Sequence, residues 1–262
     1  ILTRGGAMLL GFSKINEASM IREVPGHHYG DADLWYSECF FLRCPNILLE
    51  NDPDKLEFRV TPEDDEGLWA PHRDDPERHF LQEPYMALLP SGRNIATMRS
   101  RTGHPMFSIS MDDGIQWAPA APLRFAPGGD RMKHPCGPCP ILCTRDGRIV
   151  LCFRNDNAPT DAPHLKYWDN RDPHHVSVSV EMPALAAGFA AEEANGGLYF
   201  DSPKVLLSHV VLPPGSRVPR RRAEYPQLLE WAGRFFVVYS SKKVDIMLKQ
   251  IPAEMFAGCG LP

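Results

Sequence analysis

The chain has 262 residues and a formal net charge of −5, and 43% of its residues are hydrophobic. A net negative charge gives no indication of a basic surface that would bind nucleic acid. No apolar run approaches the length of a membrane span. The 26 prolines and 20 glycines argue against long helices and favour many turns. The composition therefore predicts a β-rich protein, folded as a single domain over residues 1–262.

The first predicted hairpin lies at the N-terminus. Residues 3–12 read TRGGAMLLGF, with a short run on each side of Gly5-Gly6. Runs of this kind broken by a glycine turn are hairpin signals. The chain begins at Ile1 rather than at Met, and we expect further residues upstream of it.

A repeated phrase occurs three times further along the chain. Residues 84–99, 139–154 and 225–240 each contain an apolar run, a turn ending in Gly-Arg and a second apolar run. This phrase predicts three equivalent hairpins. A weaker copy surrounds Gly196-Gly197.

The spacing of these turns predicts the number of blades in a propeller. If five repeat steps separate Gly5 from Gly233, the mean period is about 46 residues, which suits blades of four short strands. The count requires a further blade before Gly92, which we place at residues 46–60. The sequence thus predicts an all-β fold, a six-bladed β-propeller of four-stranded antiparallel blades. A five-bladed or N-terminally incomplete propeller is the alternative.

Residues 110–117, SMDDGIQW, fit the pattern S-x-D-x-G-x-x-W. Ser110 and the aspartate side chains can hydrogen-bond nearby backbone N–H groups and hold a turn. Gly114 supplies a backbone angle that other residues resist, and Trp117 folds back as an apolar plug. The pattern predicts a tight hairpin turn.

The seven cysteines do not form a small disulfide framework. Cys136, Cys139, Cys143 and Cys152 lie in or beside predicted strands. His134 with Cys136 and Cys139 superficially offers a zinc cluster, but a structural zinc site needs a second ligand pair at suitable spacing. We therefore expect buried free thiols, with no metal and no cofactor. This cysteine usage is typical of the cytoplasm, although an incomplete N-terminus leaves secretion open.

These features resemble the sialidase superfamily. The turn at 110–117 is similar to the Asp-box, which joins the third and fourth strands of a sialidase-type blade. The likeness covers nearly the whole chain and is strongest over residues 82–119, 134–155 and 222–243. It implies the propeller fold and a carbohydrate partner.

The resemblance also implies a set of site residues. Tyr225 matches the nucleophilic tyrosine, and Glu83 matches the glutamate that acts on it. Arg99 and Arg171 match two arginines of the substrate-binding triad, and Arg222, in the same phrase as Tyr225, is a further substrate-binding candidate. His134 is a candidate for lining the same pocket.

The acid/base aspartate of the family lies on a loop after the first hairpin, where Asp31 and Asp33 are both candidates. This chain departs from the family at two other points. The first triad arginine, counted back from Gly5, falls upstream of Ile1, and Pro226 follows Tyr225 where well-studied sialidases have serine.

The chemistry of these residues fits an acidic sugar. Arginine forks bind carboxylates bidentately, and a tyrosine nucleophile avoids the repulsion that a carboxylate would feel toward an anionic sugar. A neutral tyrosine needs a base such as Glu83. We therefore expect a sialidase-like glycoside hydrolase. The alternatives are a non-catalytic carbohydrate-binding propeller and a uronate polysaccharide lyase, in which Tyr225 and His134 abstract a proton. The oligomeric state is left open.

Overall fold

The computed structural model describes residues 1–15, 36–63, 65–72, 76, 78–155, 173–182, 194–208, 223–241 and 245–256. These residues form fifteen β-strands and three short 3-10 turns. The described part of the chain is therefore all-β, as predicted. Within it, no helix has the length and apolar character needed to cross a membrane.

The largest sheet contains two antiparallel groups of strands. Its N-terminal group is β1 (Met8–Ile15), β2 (Tyr36–Cys44) and β3 (Arg59–Thr61). Its second group is β4 (His79–Leu88), β5 (Asn94–Ser100), β6 (Met106–Ser110) and β7 (Ala121–Pro122). A short parallel pairing of β2 with β4 joins the two groups.

Two further sheets follow along the chain. The first contains β8 (Ile141–Cys143), β9 (Ile149–Phe153), β10 (His174–Glu181), β11 (Leu198–Phe200) and β12 (Lys204–Leu207). The second contains β13 (Ala223–Trp231), β14 (Arg234–Ser241) and β15 (Asp245–Ile251). The described strands thus form four antiparallel, blade-like groups, and these groups do not close into a ring.

Glycine turns join the first two strands of three groups. Gly92 lies between β4 and β5, Gly147 between β8 and β9, and Gly233 between β13 and β14. Their φ angles are 89°, 85° and 72°, in the left-handed region that glycine adopts without steric cost. Gly6, with a φ of 85°, makes the corresponding turn before β1. The three predicted Gly-Arg hairpins are confirmed, and they occupy equivalent positions.

Two other parts of the predicted repeat are wrong. Gly196 and Gly197 belong to a 3-10 turn that leads into β11, which pairs with β10 rather than starting a group. Residues 46–60 contain a 3-10 turn and the start of β3, which pairs with β2 instead of forming a separate blade. A glycine with positive φ serves both kinds of turn, so the sequence pattern does not reveal which strands it joins.

The turn at residues 110–117 connects the third and fourth strands of its group, β6 and β7, as the resemblance implied. The hydroxyl oxygen of Ser110 accepts a hydrogen bond from the Gly114 N–H (2.9 Å) and donates one to Asp112 Oδ1 (3.0 Å). The Trp117 ring stacks on Phe41 of β2, with the ring centroids 3.9 Å apart. The stacking of Trp117 therefore packs the second group of strands against the N-terminal group.

The core lies between neighbouring groups. Strands β5 and β9 are buried along their whole length, because sheets cover both of their faces. Strand β14 alternates between buried and more exposed residues, and β15 is exposed at all positions except Ile251. This packing brings the end of β5 against the segment that precedes β8.

Candidate functional site

Glu83 lies at an irregularity in β4. The pairing of β4 with β5 shifts register between Gln82 and Tyr85, and Glu83 adopts a φ of 51°. Its backbone N–H donates to the hydroxyl oxygen of Ser13 on β1 (2.9 Å). A bulge of this kind redirects a side chain away from the alternation of the strand, and it brings the carboxylate of Glu83 toward Arg99.

Arg99 lies near the end of β5 and is almost fully buried. Its Nη1 donates to Glu83 Oε1 (2.9 Å), and its Nε donates to Cys136 Sγ (3.1 Å). Burial alone would lower the pKa of Arg99, but Cys136, Glu83 and Tyr225 together raise it above the ordinary value. The guanidinium is thus a fixed, permanently charged group at the junction of two sheets.

Tyr225 lies at a matching irregularity in β13. The pairing of β13 with β14 shifts register between Glu224 and Gln227, and Tyr225 adopts a φ of 50°. Its phenol acts electrostatically on Arg99 and also on Tyr85, whose pKa is raised by burial and then by Glu83 and other neighbours, Tyr225 among them. The structure therefore brings Glu83 and Arg99 into direct contact, and Tyr225 of another sheet is among the neighbours that raise the pKa of Arg99.

Among the described residues, only one oxygen of the Glu83 carboxylate has a partner. Oε1 forms the ion pair with Arg99, whereas Oε2 is buried and has no hydrogen-bond donor among the described residues. A buried carboxylate oxygen without a donor is costly unless a ligand or a reacting group supplies one. This oxygen can accept a hydrogen bond from a bound ligand.

His134 is fully buried, and both of its ring nitrogens are engaged. Nδ1 accepts from the backbone N–H of Arg154 (3.0 Å), which places the ring proton on Nε2, and Nε2 donates to the carbonyl of Gly137 (2.8 Å). Burial first, and then the charge of Arg154, lower the pKa of His134 to about 3. The ring is therefore neutral at ordinary pH, and it holds the turn from 134 to 137. Its predicted contact with substrate stays a prediction.

Arg154 is a buried arginine that the sequence interpretation did not single out. It is 1% exposed, lies directly after β9, and approaches His174 with Nη2 3.5 Å from Nε2. Burial and then the charge of Arg154 lower the pKa of His174 well below its ordinary value. The signal was present, because Arg154 follows Gly147 by seven residues, just as Arg99 follows Gly92.

The remaining predicted site residues lie outside the described residues: Asp31, Asp33, Arg171 and Arg222. Of the cysteines in the described part, Cys143 is half-buried and the other five are buried, and all six carry free thiols. The described residues contain no group of three or more His, Cys, Asp or Glu side chains that could hold a metal ion.

No protein-family model and no curated protein matches the chain. Solved structures share its fold. A GH43 β-xylosidase/α-arabinofuranosidase from a compost microbial metagenome aligns with a TM-score of 0.55 and 14% identity, over 95% of this chain and 71% of that one. A leech intramolecular trans-sialidase aligns with a TM-score of 0.52 and 12% identity, over 86% of this chain and 29% of that one. A protein of unknown function from Dyadobacter fermentans aligns with a TM-score of 0.51 and 15% identity, over 100% and 62% of the two chains.

The chain therefore has a sialidase-like fold of the kind found in propeller glycosidases. It spans about a third or less of the length of the trans-sialidase and sialidase structures that it matches, with coverage from 24% to 35%. At such low identities the likeness establishes the fold alone.

Proposed function

We propose that this protein is a sialidase-like glycoside hydrolase that cleaves at a carboxylated sugar, with Tyr225 as nucleophile. The observation that carries the proposal is the ion pair between Glu83 and the buried Arg99, whose raised pKa has Tyr225 of another sheet among its causes. A carboxylate, a fixed cation and a phenol are the groups that such a reaction needs. The sialidase-like fold supports the same reaction class.

Arg99 is the proposed anchor for the substrate carboxylate. Its burial and its bond to Cys136 hold the guanidinium in place, so little side-chain entropy is lost when a ligand binds. Arg171 and Arg222 are the proposed additional members of the clamp. A bidentate arginine contact would orient the sugar ring with its anomeric carbon toward Tyr225.

Glu83 is the proposed base for the tyrosine. A neutral phenol is a weak nucleophile, and Glu83 Oε2 is a buried acceptor that can take its proton as the bond to the anomeric carbon forms. The ion pair with Arg99 holds the carboxylate in position for that step. Asp31 or Asp33 then acts as the general acid on the leaving group and as the base toward water.

The proposal includes a closed propeller in which the site lies at one end of the axis. Six blades remain the predicted number, with five as the alternative, and the described strands account for four groups. Sites in radial folds collect where strand ends and loops meet. Tyr225 lies near the start of β13, and Glu83 lies at the irregularity in the middle of β4.

The two other function classes remain as alternatives. A carbohydrate-binding propeller would keep Arg99 and lack turnover. A uronate lyase would use Tyr225 with His134, but both ring nitrogens of His134 are hydrogen-bonded and its lowered pKa makes it a poor base. The geometry therefore supports the hydrolase better than the lyase.

A substrate panel tests the proposal. Aryl glycosides of carboxylated sugars should release their phenol, whereas matched neutral glycosides, including an aryl xyloside, should not. Turnover of the neutral series alone would overturn the acidic-sugar assignment. Unsaturated-uronate absorbance would identify a lyase, and saturable binding without product would identify a binding propeller.

A further inference from the structure

Within the described part of the chain, two bonds from different nitrogens orient Arg99. Nη1 donates to Glu83 Oε1, and Nε donates to Cys136 Sγ. Because the guanidinium is planar, bonds to Nε and Nη1 together fix both the direction and the plane of the group. Glu83 belongs to the same strand pair as Arg99, whereas Cys136 comes from the segment ahead of β8, so the thiol ties Arg99 to the next sheet.

Cys136 is held in place by the turn from His134 to Gly137. His134 Nε2 donates to the Gly137 carbonyl, and His134 Nδ1 accepts from the Arg154 N–H. Gly137 lies so close to Arg154 that a Cβ at this position would collide with Nη1 of that guanidinium. The turn is therefore held by hydrogen bonds on one side and by close packing on the other. Within it, Cys136 is 3% exposed.

From this geometry we infer that Cys136 is a positioning residue for substrate binding, acting through Arg99. Its sulfur accepts the Nε hydrogen bond and holds the guanidinium plane in the direction in which the substrate carboxylate is bound. The thiol itself does not contact the substrate. This inference rests on the proposed function, because it assigns to Arg99 the role of carboxylate anchor.

The inference predicts that loss of the Cys136 sulfur affects KM and not kcat. Loss of the Cys136 sulfur leaves Tyr225 and Glu83 in place but lets the Arg99 plane rotate. An interaction made equally in the ground state and the transition state changes KM and leaves kcat almost unaltered. A defect in the nucleophile or its base would instead lower kcat.

The test compares three variants on the acidic glycoside that the panel identifies. We expect Cys136→Ala to raise KM about tenfold, which corresponds to about 1.4 kcal/mol, with kcat within about twofold of wild type. Cys136→Ser keeps an acceptor on a shorter side chain and should lie between wild type and Cys136→Ala. Cys143→Ala is the matched control, since its half-buried thiol lies at the end of β8 beside Thr144, and it should match wild type. Unchanged KM in Cys136→Ala, or a fall in kcat alone, would overturn the inference.

A second readout separates this inference from the proposed function. The Nε–Hε resonance of Arg99, assigned by its loss in Arg99→Lys, reports the Cys136 bond directly by NMR. It should shift in Cys136→Ala and stay in place in Cys143→Ala, whether or not any substrate is turned over. If it stays in place in Cys136→Ala, the thiol does not position Arg99. If it shifts while wild type neither binds nor cleaves an acidic glycoside, the proposed function fails and Cys136 orients Arg99 for another purpose.

Discussion

Glu83 and Tyr225 share a backbone conformation that few side chains adopt. Their φ angles are 51° and 50°, each precedes a proline, and each lies where the first strand of its antiparallel group shifts register against the second. A non-glycine residue at positive φ costs of order 1–3 kcal/mol and persists where the surrounding structure imposes it. At Glu83 the bond from its N–H to Ser13 is part of that support. These two residues and Arg99 are the described members of the proposed site.

Replacement of Glu83 by glutamine should lower turnover strongly. A neutral amide cannot take the phenolic proton of Tyr225, and loss of general base catalysis typically costs about 10²–10⁴-fold in rate. Steady-state kinetics on an acidic aryl glycoside measures the effect. Glu254→Gln, in an exposed 3-10 turn, is the control and should keep wild-type kcat. A Glu83→Gln enzyme with wild-type kcat would remove Glu83 from the mechanism.

Arg99 and Arg93 should behave differently when each is replaced by alanine. Arg99→Ala should raise KM through loss of the carboxylate contact, and it should also lower kcat because Glu83 loses its ion-pair partner. Arg93 forms a buried ion pair with Glu181 on the neighbouring sheet and donates to the Gly196 carbonyl. Breaking such a pair costs about 3–5 kcal/mol of stability.

Kinetics and thermal unfolding distinguish the two arginines. Arg93→Ala should lower the free energy of unfolding and leave KM of the folded enzyme near the wild-type value. If Arg93→Ala raised KM as much as Arg99→Ala, the assignment of the carboxylate contact to Arg99 would be wrong.

The protein should lose stability in mild acid. The pKa of His134 is lowered to about 3, and that of His174 is lowered well below 6.5, in both cases chiefly by burial. Below about pH 6.5 the unfolded chain binds protons that the folded protein does not. The free energy of unfolding should therefore fall from pH 6.5 toward pH 3, by up to about 1.4 kcal/mol per pH unit for each histidine.

Urea unfolding at a series of pH values measures this slope. His134→Gln, which cannot titrate, should unfold more easily at neutral pH yet show a shallower decline in acid. A decline in His134→Gln as steep as in wild type would show that His134 does not cause the acid lability.

Two glycines offer a matched test of the turn at residues 110–117. Gly114 and Gly128 both have positive φ, 82° and 67°. A Cβ at Gly114 would lie 2.5 Å from Cδ1 of the buried Leu9, whereas a Cβ at Gly128 would meet nothing within 4 Å. Gly128→Ala should cost about 1 kcal/mol, from backbone strain alone. Gly114→Ala should cost about 3 kcal/mol, from strain and overpacking together. Equal losses in chemical denaturation would contradict the packing of this turn against β1.

Individual hairpins could be predicted from the sequence, but the way in which they assemble into groups could not. The hairpins at Gly92, Gly147 and Gly233 follow from local signals, since an apolar run, a glycine turn and a second run specify an antiparallel pair. The same signal misassigned Gly196, because a left-handed glycine also serves the connection into a last strand. Long connections of unequal length between the groups also defeat a uniform period, so the blade count does not follow from spacing.

In the candidate site, too, individual residues could be predicted from the sequence, whereas contacts between sheets could not. Glu83, Arg99 and Tyr225 were indicated by resemblance, and the structure shows the contact between Glu83 and Arg99, whereas the roles of all three stay predictions. Arg154 was missed although it holds the same position after its turn as Arg99. The contact of Arg99 with Cys136 could not be found in sequence, because it depends on how two sheets pack.

The most direct test of the account is covalent trapping of the nucleophile. An acidic glycosyl fluoride with a second fluorine beside the anomeric carbon should glycosylate the enzyme and then hydrolyse slowly, because the electron-poor ring disfavours the oxocarbenium-like transition state. Intact mass and peptide mapping should locate one sugar on Tyr225 in the wild-type enzyme. The Tyr225→Phe variant should carry no sugar while it still binds the acidic glycoside. A sugar attached to a carboxylate such as Glu83, or full turnover by Tyr225→Phe, would contradict the central claim.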